Sequence, residues 1–365
     1  MKLGIVGLPN VGKSTVFNAL TENAVSAENY PFCTVDPNVG VVEVPDRRLF
    51  ELSKKVNSEK VTPATVQFLD IAGLVENAHQ GEGLGNQFLG QIRDVDALCH
   101  VLRLFSDPDV SHVAGELCPR RDLQIIETEF ALADLEMLEK RIEKLEKKVR
   151  VGQKEVEAEL QFLSDLARKL AAGDKPDPAT FSEQEKQFLK GTPLLSCKPV
   201  LYVLNVDEQI FKNPTADSNF QQVIEIIENR PGARYVILCA KLEAEMAGMQ
   251  PAEKRMFLEE LGAEQPGLNR LIRAAHETLD LITFFTYNEN KLRAWSIKRG
   301  SKAPRAAGKV HSDLEKGFIR AQTINYEDFE NYESWQQARE DGMVRSEGKD
   351  YVVRDGDILL IKFNV

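Results

Sequence analysis

The sequence predicts an α/β protein in which a mostly parallel sheet is covered by helices. A short apolar strand, Leu3 to Val6, leads into the glycine-rich segment GLPNVGKST, Gly7 to Thr15, and then into a helix from Lys13 to Leu20. Helical patterns alternate with later strands. Those apolar strands are predicted at Ala97–Leu104, Val200–Asn205 and Tyr235–Cys239. In such a sheet the ligand binds at the carboxyl ends of the strands.

Length and composition narrow the classes of protein that this chain can be. Its 365 residues suffice for two or three domains, and 28% charged residues are ordinary for a soluble globular protein. No apolar stretch reaches the roughly 18 residues of a membrane helix, and the N-terminus has no signal-peptide pattern. Five scattered cysteines without a C-x-x-C pair indicate free thiols rather than a disulfide framework or a zinc site. We therefore expect a cytoplasmic protein with no membrane partner.

The segment Gly7 to Thr15 fits the phosphate-binding pattern G-x-x-x-x-G-K-[ST] in the correct strand–loop–helix context. Gly7 and Gly12 allow the backbone to bend around a phosphate and to present N–H groups to it. Lys13 is expected to reach the β- and γ-phosphates, and the Ser14 hydroxyl to bind Mg²⁺. The predicted nucleotide contacts in this loop are Asn10, Val11, Gly12, Lys13, Ser14 and Thr15.

A second phosphate-side motif follows at VQFLDIAGL, where Asp70 ends an apolar run and Gly73 completes D-x-x-G. The carboxylate of Asp70 is expected to face Mg²⁺, usually through water, and the Gly73 N–H to sense a γ-phosphate. In YPFCTVDPN, Thr34 is the candidate switch threonine that contacts the same Mg²⁺. The predicted metal ligands are therefore Ser14, Thr34 and Asp70.

The segment NVDE, which follows the strand ending at Asn205, stands where a guanine reader carries Asn-Lys-x-Asp. Val206 and Glu208 replace the Lys and the Asp, and that Asp would accept hydrogen bonds from guanine N1–H and its amine. Asn205 retains an amide that suits the adenine amine and N7. Adenine is thus favoured, with ATP as the ligand. The later strand ends in Cys239-Ala240-Lys241, which resembles the Ser-Ala-Lys loop beside the base in GTPases, so Cys239 and Ala240 are also predicted contacts.

These motifs together resemble the YchF/Obg-like ATPase family over essentially the whole chain. The segments that carry the resemblance are GLPNVGKSTVFNALT, NYPFCTVDPN, DIAGLVENAHQGEGLGNQFL and NVDE. The resemblance implies a P-loop GTPase-type fold that prefers ATP, and association with ribosomes. It also implies three parts: a nucleotide domain at 1–121 and 196–280, a helical coiled-coil insertion at 122–195, and a C-terminal β-grasp (TGS) domain at 281–365.

The residue that orients the attacking water is unusual. A Ras-like enzyme carries a Gln after D-x-x-G, whereas this chain has Leu74, a substitution for which the YchF/Obg group is known. Slow hydrolysis is expected, with Lys13 as the electrostatic catalytic group and His112 as the candidate that positions water; His79 is a weaker candidate. Asn10 matches a K⁺-binding Asn of related cation-dependent GTPases, which makes K⁺ a candidate second cofactor.

Heptad spacing runs through the insertion. The apolar positions of its two series are Ala131, Leu135, Leu138, Ile142, Leu145, Val149, and then Val156, Leu160, Leu163, Ala167, Leu170. The spacing allows one long helix through Gly152 or two antiparallel helices that turn there, and the resemblance favours the hairpin. A basic tip that includes Lys147, Lys148, Arg150 and Lys154 would be free to meet a partner. Because the stripe can be buried within one chain, we expect a monomer.

After residue 280 the pattern becomes short strands separated by turns. Strands are predicted at Leu281–Tyr287, Lys291–Ile297, Tyr351–Val353 and Ile358–Phe363, and a helical piece around Gly308, His311, Asp313, Phe318 and Ile319. Residues 291–320 hold nine Lys/Arg against two Asp/Glu although the whole chain carries −11. This basic face suits phosphate backbones, with Trp295 as a stacking candidate for nucleic acid.

The leading functional prediction is a ribosome-associated ATPase that acts as a nucleotide-dependent switch in translation or stress regulation. Two alternatives remain at this point. A GTPase of the Obg class is possible because Asn205 is retained. A nucleotide-gated scaffold for RNA or the ribosome, with incidental hydrolysis, is consistent with Leu74 at the water-positioning place.

Overall fold

The computed structural model describes residues 1–22, 38–56, 58–71, 84–108, 110, 116–288 and 291–364, with side chains omitted at 84–88. These residues form two compact units. One contains the described residues of 1–22, 38–40 and 68–268, and the other those of 41–67 and 269–364. Within the described ranges, we find no helix with the length and apolar character needed to cross a membrane.

The secondary structure alternates between strands and helices in the first unit and is richer in strands in the second. The described strands are β1 (Lys2–Val6), β2 (Val39–Glu43), β3 (Lys60–Thr62), β4 (Thr65–Asp70), β5 (Ala97–Arg103), β6 (Val200–Asn205), β7 (Arg234–Leu238), β8 (Leu281–Asn288), β9 (Lys291–Lys298), β10 (Phe318–Asn325), β11 (Arg345–Glu347) and β12 (Asp357–Phe363). The described helices are α1 (Lys13–Glu22), α2 (Arg47–Lys55), α3 (Leu84–Arg93), α4 (Pro119–Arg150), α5 (Glu157–Ala171), α6 (Glu183–Phe188), α7 (Glu208–Lys212), α8 (Ser218–Glu228), α9 (Ala240–Ala247), α10 (Pro251–Glu260), α11 (Gly267–Thr278), α12 (Ala303–Val310), α13 (Ser312–Lys316), α14 (Tyr326–Phe329) and α15 (Trp335–Glu340).

The first sheet has the strand order β2-β4-β1-β5-β6-β7. Strands β1, β5, β6 and β7 pair in parallel. The near-continuous apolar residues of the central strands β5 and β6 are buried on both faces, as expected for a parallel sheet covered by helices. The predicted mostly parallel sheet is therefore confirmed. Since parallel strands end at the same edge, the loops that follow β1 and β6 meet there.

One face of β5 and β6 packs against helices α4 and α8. Leu102 and Leu204 from the strands contact a buried cluster that includes Leu123 of α4 and Val223 of α8, all at 1% exposure or less. Strands β5 and β6 lead to the sheet edge where the ligand is expected, and this packing fixes them against the two helices. The loops after these strands are thus held by a close-packed core.

The insertion is a helical hairpin, the one of the two arrangements allowed by the heptad spacing that the resemblance favoured. Helix α4 has 32 residues, a length of about 48 Å at the usual rise, and the chain turns at Gly152, which has φ +91°. Leu138 and Leu163 from the two arms are fully buried. Every predicted stripe position except Val149 joins this cluster, together with Phe162 and Leu166, which the heptad pattern omitted.

The second sheet has the order β11-β10-β12-β8-β9-β3. Strand β12 is parallel to β8, whereas β8 and β9 form an antiparallel hairpin and β10 is antiparallel to β12. Helix α12 covers one face through Ala303, Ala306 and Ala307, which pack against Phe284 and Ile297. This is the predicted C-terminal β-grasp architecture. The short strand β3 extends it by pairing in parallel with β9, Lys60 opposite Lys291.

Three details of the C-terminal prediction are wrong. Phe318 and Ile319 begin strand β10 instead of ending the helical piece. Tyr351–Val353 forms no strand but a single antiparallel bridge, Val352 opposite Lys302, and the Tyr351 carbonyl accepts from Ala303 N at 2.8 Å at the start of α12. The ring of Trp295 is covered, with Arg293 4.0 Å above it and Phe284 stacked at 6.4 Å, so it is not free to stack on a base.

Candidate nucleotide site

The loop between β1 and α1 has the backbone conformation that a phosphate-binding loop requires. Gly12 has φ +94°, and a Cβ atom there would lie 2.3 Å from Asn205 Nδ2. A Cβ on Gly7 would lie 2.6 Å from the Val101 carbonyl oxygen. Asn10 also has a positive φ, +62°, which Asn tolerates better than most residues. Glycine at positions 7 and 12 is therefore a steric requirement of the fold itself.

Lys13 is the buried cation of this loop, with 8% of its surface exposed. Its Nζ donates to the Leu8 carbonyl at 2.8 Å, which folds the side chain back over the loop. Burial lowers the pKa of Lys13 to about 8, and the negative charge of Asp70 opposes that shift. An ammonium group that is poorly solvated and faces the loop is prepared to bind phosphate oxygens.

The remaining described magnesium candidates lie around the same loop. Ser14 is exposed in the first turn of α1, and Asp70 is half-buried at the end of β4. Burial raises the pKa of Asp70 while Lys13 lowers it, so the carboxylate and the ammonium interact. Among the described residues no group of three or more His, Cys, Asp or Glu could hold a metal. A hydroxyl and one carboxylate beside phosphate oxygens suit Mg²⁺, which keeps several waters.

Asn205 connects the two halves of the site. Its side chain is 3% exposed; Nδ2 donates to the Val11 carbonyl at 2.9 Å, and Oδ1 accepts from Ala240 N at 3.1 Å. The amide oxygen and one amide N–H are therefore used by the protein. This side chain thus ties the phosphate loop to the loop after β7, and its second amide N–H is left for the predicted contact with a base.

The other predicted base contacts differ in exposure. Val206 is 2% exposed and packs in the core cluster of α8, so its side chain does not face a ligand. Glu208 is exposed and pairs with Lys212 at 2.7 Å, which lowers the pKa of its carboxyl. Cys239 and Ala240 are buried, and the Ala240 N–H is held by Asn205. Of this set, only the exposed Glu208 could offer a side chain to a base.

One residue near the site was missed by the sequence analysis. Arg103, at the end of β5, is 4% exposed and donates to the carbonyls of Phe105 at 3.2 Å and Val110 at 3.0 Å. It thereby shapes the segment that leads to His112. An arginine inside an apolar strand was the available signal. His112, His79, Gly73, Leu74 and Thr34 themselves lie outside the described residues.

Comparison with protein families finds two matches along the chain. Residues 2–151 match the family described as 50S ribosome-binding GTPase. Residues 281–364 match the YchF GTPase C-terminal domain, a family of unknown function.

Full-length relatives and solved structures agree with those matches. A protein of Bacillus subtilis (strain 168) named ribosome-binding ATPase YchF is 47% identical, covering 99% of each chain. A protein of Escherichia coli O157:H7 with the same name is also 47% identical, covering 100% of this chain and 99% of that one. The structure of the Schizosaccharomyces pombe YchF GTPase has a TM-score of 0.88 at 34% identity, covering 99% of this chain and 97% of that one.

Proposed function

We propose that this chain, which belongs to the YchF family, binds ATP and hydrolyses it slowly as a nucleotide-dependent switch on the ribosome. The observation that carries this proposal is the phosphate loop folded around the buried Lys13, with the carboxylate of Asp70 interacting with it. Relatives that share 47% of its residues over the full length are named ribosome-binding ATPases. Both the site and the whole chain thus support the same activity.

Phosphate binding follows from the local geometry. Lys13 Nζ, which donates to the Leu8 carbonyl, would exchange that bond for a β- or γ-phosphate oxygen, while loop N–H groups and the start of α1 take the remaining oxygens. Ser14 and, through water, Asp70 would hold Mg²⁺, together with Thr34. When bound, Mg²⁺ offsets the negative charge that develops on the phosphates.

A preference for ATP over GTP is supported by the base-side residues. Val206, at the Lys position of the guanine signature, is directed into the core. Glu208, at the Asp position, is one carbon longer than Asp and is paired with Lys212. Neither residue supplies the short carboxylate that accepts from guanine N1–H and its amine. The hydrogen bonds that select guanine are therefore absent, whereas adenine, which has no N1–H, does not depend on them.

Competition binding tests this preference directly. We expect ATP and ADP to displace a fluorescent adenine nucleotide at lower concentration than GTP does. Lys13→Ala serves as the control and should weaken all three nucleotides together. Tighter binding of GTP than of ATP would support the alternative of an Obg-class GTPase.

Hydrolysis requires a group that orients water, because Leu74 cannot. We assign this role to His112, which follows by two positions in the sequence the residue Val110, whose carbonyl accepts from Arg103 at 3.0 Å. His112→Ala should reduce ATP turnover by about a hundredfold or more while leaving the ATP dissociation constant unchanged. Unchanged turnover would exclude His112. Comparing K⁺ with Na⁺ buffers tests the further assignment of Asn10 as a K⁺ ligand.

Ribosome binding is assigned to the exposed basic groups of the hairpin tip and of residues 291–320. Lys147, Lys148, Arg150 and Lys154 are all exposed, and the hairpin stripe is buried within one chain, which supports a monomer. Each basic group that contacts a phosphate releases a counterion, and added salt opposes that release. Ribosome binding should therefore fall sharply between low and physiological salt. A flat response would contradict the assignment. Equal binding with a non-hydrolysable ATP analogue and with ADP would favour a scaffold over a switch.

A further inference from the structure

A cavity of about 490 Å³ lies on the α4 and α8 side of the first sheet, where the chain returns from the hairpin. Its volume falls within the range of about 300–1,000 Å³ typical of small-molecule sites. In the part of the chain that the structure describes, none of the residues assigned above to the nucleotide lines it. It is therefore a separate candidate site within the same unit.

The floor of this cavity contains a buried polar atom with no partner. His100, in the middle of β5, is 3% exposed, and its Nε2 makes no hydrogen bond. The ring lies 5.8 Å from that of Tyr202 on the neighbouring strand. Burial, and then the charges of Lys175 and Arg230, lower the pKa of His100 to about 3, so the imidazole is neutral. Leaving a buried polar atom unpaired is unfavourable, and a bound group could satisfy it.

The charges around the cavity leave an excess of one positive charge. Glu127 accepts from Arg230 through both carboxylate oxygens, at 2.5 and 2.8 Å, and from Lys175 at 3.3 Å. One carboxylate thus serves two cations. Arg120 and Asp174 are the other charged residues of the lining, both exposed. A small anion would therefore be attracted here.

Part of the cavity wall is apolar. Leu123 and Ile126 of α4 are fully buried, and Leu98 of β5 is 1% exposed. An apolar body could displace water from these side chains at the same time as its charged group reached the cations.

We propose that this cavity binds a small organic anion, with a carboxylate or phosphate held by Lys175, Arg230 and His100 Nε2 and an apolar ring or chain against Leu123 and Ile126. This site is independent of the nucleotide loop. Its ligand differs from ATP in class, because apolar side chains form much of the lining and no glycine-rich turn is present among the lining residues to wrap several phosphates.

Benzoate and phenyl phosphate are suitable probes, with benzamide as the neutral control and benzylamine as the cationic one. The chain has five histidines, so histidine labelled with ¹³C at the ring gives few NMR signals. His100→Gln identifies the His100 signal; should that variant not fold, the other four histidines are replaced one at a time, and the signal that none of those substitutions removes belongs to His100. ADP and Mg²⁺ are present throughout, so that phosphate probes do not report the phosphate loop.

We expect a saturable shift of the His100 signal with benzoate, phenyl phosphate or both, and no shift with benzylamine. Whichever anion binds more tightly identifies the charged group. Arg120→Glu, at the exposed rim, should weaken binding about tenfold, whereas Lys144→Glu, exposed farther along the same helix, should have no effect. No shift with either anion at millimolar concentration, or equal shifts with benzamide, would overturn the proposal.

Discussion

At the scale of single residues, the protonation state of Lys13 controls how tightly the site binds a nucleotide. Since burial holds its pKa at about 8, the free protein loses the ammonium as the pH rises above 8. Bound phosphates favour the charged form, so binding above pH 8 requires proton uptake. ATP affinity should therefore be constant below pH 7 and fall by about tenfold per pH unit above 8.

Equilibrium titrations between pH 7 and 9.5 measure this fall. Lys13→Arg keeps its charge across the range and should remove the pH dependence even if its affinity is lower at every pH. A pH-independent affinity of the unaltered protein would show that Lys13 has an ordinary pKa.

Asn205 offers a second test at this scale. Asn205→Asp keeps the size of the side chain but sets an oxygen, instead of Nδ2, against the Val11 carbonyl at 2.9 Å. If the residue ties the two loops together, ATP and GTP affinity should both fall, by about 1–3 kcal/mol. If it reads the base, the loss should fall on one nucleotide. Competition binding with both nucleotides separates the two roles.

At the scale of elements, the hairpin is stabilised by its own apolar stripe. Leu163 is fully buried between the arms, so Leu163→Ala should cost about 3 kcal/mol of the local unfolding free energy. Hydrogen exchange of α4 and α5 would then accelerate, while exchange in β1 and β6 stays unchanged. Leu132→Ala is the matched control, because Leu132 is 36% exposed on α4 and should have little effect. Equal effects of the two substitutions would mean that the arms are not packed as described.

Local patterns predicted most elements, and the failures have physical reasons. The apolar run of β6 and the heptads of the hairpin depend on residues close in sequence, so their period identifies them. Strand β3 has only three residues and pairs with β9, more than two hundred residues later, which no local period reveals. Tyr351–Val353 had strand composition, but its backbone bonds are taken by the start of α12.

The candidate site shows the same limit. The spacing around Lys13 predicted the loop because bending around a phosphate requires glycine at fixed positions. The pattern NVDE located Asn205 but not its orientation, since the Val11 carbonyl that it binds lies 194 residues earlier. An arginine inside an apolar strand marked Arg103, but its partners are backbone carbonyls, which no residue type identifies in advance.

At the scale of the whole molecule, the C-terminal unit depends on a distant segment. Arg48, in α2, donates to Asp355 at 2.6 Å and to Asp46 at 2.8 Å, and lies over the Phe285 ring. Arg48→Met should lower the unfolding free energy of this unit by about 2 kcal/mol, because two carboxylates lose their partner. Denaturant unfolding would measure it. Arg47→Met is the control, since Arg47 is 88% exposed and should change little.

The same ion pair predicts an acid response. Burial alone would raise the pKa of Asp355, but hydrogen bonds from Arg48 and Thr283 N hold it below its usual value. The stabilisation that this ion pair provides is therefore complete above the ordinary pKa of an aspartate. It is lost as the pH falls through the lowered pKa of Asp355. Arg48→Met should weaken this acid sensitivity. A variant with the same acid midpoint as the unaltered protein would argue against it.

The order of the chain sets a rule for building hybrids. Within the residues that the structure describes without a gap, the polypeptide passes between the two units at 40–41, 67–68 and 268–269, so β3 and α2 belong with the C-terminal fold although they are made early. If only the last hundred residues were exchanged with those of a relative, the C-terminal sheet of one parent would have to pair with β3 and Arg48 of the other. A working chimaera must therefore take residues 41–67 and 269–364 from the same parent, because these two separate stretches of the sequence fold as one unit.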